Sequence, residues 1–280
     1  MFLIRAILAP ASLLVSLIGT LSALPVFAES PARPMPVRQA LVPALTYADL
    51  ADLADAAPLV LKAKVIKVAE VEPKRAGNVK PGWARVYVES VTENLLAGPA
   101  AVGASLHYLA DVLRDAKGKV PKLKKMEVLL FAMHVEGQPG ALQLIAPDAQ
   151  VLFDPLTEMQ LRAILDALYR PGAPRRITGV REAIHVPGNL AGEGETQIFL
   201  TTQDEEPAAI TVIRHNGLPL NWSMSFSEIV ESTGRPPARD TLPWYRLACF
   251  LPRQLPAGVN VSATPEDRAL AETDYARVIA

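Results

Sequence analysis

The stretch His185-Val186-Pro187-Gly188-Asn189-Leu190-Ala191-Gly192-Glu193-Gly194-Glu195-Thr196 concentrates the residues most able to do chemistry. An imidazole precedes two carboxylates that stand two positions apart among glycines. Such a set can donate and remove protons, and paired carboxylates carry out glycoside hydrolysis. His185, Glu193 and Glu195 are therefore the catalytic candidates. The competing assignment is a solvated structural or partner-binding loop between two strands, a common fate for glycine-rich acidic segments. A phosphate cradle is excluded, because the Gly-Lys-Ser/Thr signature is absent and carboxylates repel phosphate. The alternating Asp/Asn ligands of a calcium loop are absent too.

The second chemical feature is basic. Lys117-Gly118-Lys119-Val120-Pro121-Lys122-Leu123-Lys124-Lys125 is the main charge run, and Arg114 extends it. A solvated hairpin loop explains it most simply. Its functional alternative is an anion-binding face built from Lys117, Lys119, Lys122, Lys124 and Lys125, directed at anionic glycan or lipid headgroups. The histidines, His107, His134, His185 and His215, show no HExxH or HxH spacing, so neither a metal site nor a cofactor is expected. No Gly-x-Ser-x-Gly or Ser-x-x-Lys nucleophile motif occurs. Cys249 is the single cysteine; its apolar neighbours point to a buried small hydrophobe, and internal disulfides are excluded.

The N-terminus says where such chemistry would take place. Arg5 is followed by an apolar stretch from Ala6 to about Ala23, then by Pro25 and the small-residue end Val26-Phe27-Ala28. This is the pattern of an export signal over residues 1–28, cut before Glu29, with an uncleaved membrane anchor as the rival. A periplasmic or extracellular location is expected, with no membrane-spanning helix after cleavage. Without residues 1–28 the chain holds 27 Lys+Arg against 29 Asp+Glu, a net charge of −2. That balance provides no field for nucleic acid, and the basic run lacks interleaved aromatic residues. An envelope component or another protein is the expected partner.

The elements that position these residues are short, as 25 prolines in 280 residues suggest. Residues 29–45 read as a Pro-rich leader. Thr46 and Asp49 have capping-box spacing, and Pro58 stops the helix they open. Strand patterns follow at Leu59–Val68, Arg85–Val91, Ser105–Asp111, Val128–Ala132 and Leu142–Ile145. In the first, the apolar phase slips by one at Ile66, the mark of a β-bulge. Thr157 is expected to cap a helix with Leu161, Ile164, Leu165 and Leu168 in its stripe. Strands Ile177–Val186, Thr196–Thr202, Ala208–Arg214 and Asn221–Phe226 come next, then helices opened by Asp240 and by Thr264-Pro265. The expected fold is α+β: a small antiparallel OB-like barrel with flanking helices over 46–170, then an antiparallel meander sheet with C-terminal helices over 171–280.

Lys124-Lys125-Met126-Glu127-Val128-Leu129-Leu130-Phe131 resembles the turn and following strand of OB-like barrels in exported modules. Netrin-like inhibitory modules share that barrel, but their N-terminal cysteine framework is absent, so protease inhibition is not carried over. The whole chain resembles a family of exported proteins from Gram-negative alphaproteobacteria. The segments that carry this resemblance are Leu45–Asp52, Ile177–Thr196 and Trp244–Pro252. That family has no assigned activity; the resemblance implies location and adds no mechanism. Three functions follow from the residues: a non-enzymatic binding or scaffold protein, a hydrolase of envelope material using the acidic loop, and a basic module for anionic glycan or lipid.

Overall fold

A computed structural model describes residues 45–98, 102–227 and 234–280. The export-signal reading of 1–28 and all but the last residue of the Pro-rich leader lie outside the described residues. Helix α1 (Tyr47–Ala56) starts as its sequence requires: Thr46 accepts from the Asp49 amide at 3.2 Å, and Asp49 accepts from the Thr46 amide at 2.9 Å. It buries Leu50, Ala51 and Ala54.

The first sheet has six antiparallel strands: β1 (Leu59–Glu70), β2 (Trp83–Ala97), β3 (Ser105–Leu113), β4 (Glu127–His134), β5 (Leu142–Leu144) and β6 (Gln150–Leu152). A one-turn helix, α2 (Pro73–Ala76), sits between the first two. Strand order is β3-β2-β1-β4-β5, and β6 pairs with β4 beside β5. The bulge is present: register shifts between Val65 and Lys67, and Ile66 turns outward. The continuous apolar run Val128–Ala132 is wholly buried at the centre.

The sheet curls until β3 approaches β5, yet it is not a closed barrel. One isolated parallel bridge, His107 to Ala141, links them, with the His107 amide donating to Gly140 O at 2.8 Å. The expected barrel is thus corrected to a curled open sheet. The three residues of β5 pair with Ala132–His134 of β4, and toward β3 the contact is only the bridge at Ala141, just before β5.

Helix α3 (Pro155–Tyr169) buries Leu161, Ile164 and Leu165 against this sheet. Its cap is Asp154 rather than Thr157. Pro155 takes the first helical position, which puts the cap three residues earlier, and Asp154 accepts from the Thr157 amide at 2.9 Å.

The second sheet is a four-stranded meander: β7 (Ile177–Pro187), β8 (Gly194–Thr202), β9 (Ala208–Arg214) and β10 (Asn221–Ser225). Trp222 and Met224 of β10 pack on its core, as their alternation requires. Helix α4 (Leu242–Phe250) is capped by Thr241, one residue after the expected Asp240. Helix α5 (Pro265–Ile279) has the full capping box of Thr264 and Asp267 and packs on β7 and β8. Two apolar cores result, and α4 serves both: Leu242 and Tyr245 enter the first, Leu247 the second.

Candidate functional site

The glycine-rich segment is the tip of the β7–β8 hairpin. Register pairs His185 with Thr196, Val186 with Glu195 and Pro187 with Gly194. Residues paired across a ladder share a face, and neighbours along a strand point to opposite faces. The pleat therefore sends His185 and Thr196 inward and Glu195 outward. Glu195 accepts from Gln197 Nε2 at 2.7 Å on that outer face. Glu193 lies in the loop, where its Oε1 stands 4.0 Å from His215 Nδ1. Glu193, Glu195, Gln197, Arg214 and His215 border one shallow depression of about 540 Å³, and His185 does not line it. The three catalytic candidates share a hairpin but do not converge: His185 is 3 % exposed and turned to the core, away from Glu193 and Glu195.

What His185 does join is a buried polar chain. Its Nδ1 lies 2.7 Å from Thr196 Oγ1, and Thr196 donates to Asp274 Oδ2 at 2.5 Å. Arg214 forms an ion pair with Asp274 Oδ1. The His185 amide donates to Ser262 Oγ at 2.9 Å. Strands β7, β8 and β9 are thus tied to α5 and to the segment before it. Gly194 is required here, because a Cβ at that position would sit 2.7 Å from His185 Cε1 and Nε2. Sequence reading missed Asp274, although a signal exists. It falls inside the stripe Asp267, Ala271, Asp274, Tyr275 and Val278, which has the spacing of a buried helix face.

A second polar joint binds the two halves of the described chain. Asp55 of α1 accepts from Arg246 Nη1 and Nη2 at 2.7 and 2.9 Å, and from Arg176 Nη2 at 2.6 Å. Arg246 Nε donates to Pro174 O at 3.0 Å. Burial alone would raise the Asp55 carboxyl; the two guanidinium groups outweigh it and hold the acid below its usual range. Next to it, Tyr245 donates to Asp52 Oδ1 at 2.5 Å. Cys249 is exposed on α4, not buried as expected, because the helix turns Tyr245, Arg246 and Leu247 inward instead. Partial burial, then the charges of Asp52 and Asp49, push its thiol pKa up, away from thiolate reactivity.

The basic run separates into two parts. Lys117 and Lys119 belong to a turn whose amides donate to Asp115 Oδ1, each at 2.9 Å. Lys122, Lys124 and Lys125 border a second open depression, of about 560 Å³, together with Lys67 from β1. Lys67 was not part of the expected set; the fold supplies it. Among the described residues, no group of three His, Cys, Asp or Glu side chains is placed to hold a metal ion. No helix among them is long and apolar enough to cross a membrane. The sequence matches no family model, and no curated protein matches it.

Proposed function

We propose that this chain is an exported, non-enzymatic binding or scaffold protein of the bacterial envelope, working in the periplasm or outside the cell. The observation that supports this reading is how the interior spends its ionisable groups. His185, Asp274 and Arg214 clamp α5 to the second sheet, and Asp55, Arg176 and Arg246 clamp α1 to α4. These groups brace the frame, and the surface depressions are open bowls displayed on it. The hydrolase reading paired the loop carboxylates with His185, which faces the other side of the pleat; the imidazole beside Glu193 is that of His215, at 4.0 Å, too far for a hydrogen bond.

The test has two parts. Cell fractionation with N-terminal sequencing should recover the chain from the periplasm or medium starting at Glu29; recovery from cytosol with Met1 attached would overturn export. Envelope glycans and lipids should raise the melting temperature with saturation, equally in the wild type and in the Glu193→Gln/Glu195→Gln variant. Turnover of an envelope substrate that this double variant loses would replace binding by hydrolysis.

A further inference from the structure

We propose that the lysine-bordered depression beside β1 docks the chain onto the phosphate headgroups of an anionic lipid surface. The inference rests on the reading of the chain as a binding protein and names its ligand. Four ammonium groups, from Lys67, Lys122, Lys124 and Lys125, surround the bowl with one carboxylate, Glu70. Glu70 is already engaged by Arg114, and Lys67 by Glu89 at 3.0 Å. The positive excess at this spot therefore rests on Lys122, Lys124 and Lys125.

The lysines are held in place by the backbone. The Lys125 amide donates to Val65 O at 2.8 Å, and the Val65 amide donates to Met126 O at 2.9 Å, so the segment is fastened to β1. Lys125 itself has a left-handed backbone, φ 71°, which turns the chain sharply after Lys124.

The apolar neighbours favour a lipid surface over a small soluble anion. Val68, Val120, Pro121 and Leu123 line the bowl between the ammonium groups. Ile66 and Met126 flank Lys67 and Lys125 in the chain and are 46 % and 43 % exposed. The bulge in β1 is what turns Ile66 outward. A tight phosphate site would converge N–H donors into a narrow cup. An open basic bowl with aliphatic walls and exposed apolar neighbours suits a plane of phosphates lying above acyl chains. Because the net charge of the whole chain is close to zero, the attraction is local and screened by salt.

Vesicle co-sedimentation tests this. The full chain is compared with its Lys122→Gln/Lys124→Gln/Lys125→Asn variant, so that any contribution of the apolar segment before Glu29 is common to both. Asn is chosen at 125 because it tolerates the left-handed backbone. On phosphatidylcholine vesicles with about 30 % phosphatidylglycerol, the wild type should partition about 100-fold more strongly at low salt. The gap should close near 0.5 M salt, roughly, and vanish on pure phosphatidylcholine. Ile66→Ser should weaken binding while leaving its salt dependence unchanged. Equal partitioning of wild type and triple variant on the anionic vesicles overturns the proposal. So does release from the vesicles by inorganic phosphate at millimolar level, which would make a soluble anion the ligand. If vesicles fail while another envelope component raises the melting temperature, this inference falls and the binding reading stands.

Discussion

Thr196 stands between His185 and Asp274 and fixes the proton positions of both contacts. Its hydroxyl donates to Asp274 Oδ2 at 2.5 Å. A hydroxyl has one proton, so across the 2.7 Å contact it must accept, and His185 Nδ1 must carry the hydrogen. A side chain without a charge thus orders an imidazole and a carboxylate that the sequence keeps far apart.

Thr196→Val keeps the shape and removes both bonds. His185 and Asp274 are 3 % and 0 % exposed, so each is left short of a partner out of reach of water. Stability should fall by about 2–4 kcal/mol, and Thr196→Ser should restore most of it. Urea denaturation measures this; a loss below 0.5 kcal/mol, roughly the size of an ordinary surface change, would show that the chain of bonds is not a brace.

Asp55→Ala should be worse. It leaves Arg246, 4 % exposed, without its bidentate partner, and a buried charge deprived of its mate costs about 3–5 kcal/mol. The same carboxylate sets a pH dependence. Its folded pKa lies below the unfolded value of about 3.9, so its contribution is complete above that value and disappears as pH falls through the lower, folded one. Wild-type stability should therefore drop on acidification below about pH 4, and Asp55→Asn should flatten that part of the curve. Parallel curves for the two proteins would rule Asp55 out as a source of the acid sensitivity.

Gly194→Ala probes the contact under the hairpin. The added methyl would meet the His185 ring at 2.7 Å and Val186 O at 3.0 Å, so ring or backbone must move. Overpacking of this kind costs about 1–3 kcal/mol. The His185 imidazole resonances should shift in the NMR spectrum, whereas Gly217→Ala, with no atom within 4 Å of the added methyl, should leave them unmoved.

Local chemistry was legible in the sequence; long-range parity was not. Thr46 with Asp49, and Thr264 with Asp267, announce their helices because a cap is decided within four residues. The phase slip at Ile66 announced the bulge, and the unbroken run Val128–Ala132 announced a central strand. The separation of His185 from Glu195 was hidden, since the face each one takes depends on the hairpin's register. Asp274 was passed over as one more acid in a helix whose buried stripe is visible only with the second sheet in place. Lys67 joined Lys122, Lys124 and Lys125 only because β1 runs past them.

The sharing of α4 between the two cores makes the first dependent on residues that follow the second sheet. The lid that closes the first interior is encoded after the last strand of the second sheet. A fragment ending near residue 171 would therefore lack Leu242 and Tyr245 and uncover the apolar groups they close off, whereas the part after it keeps α4.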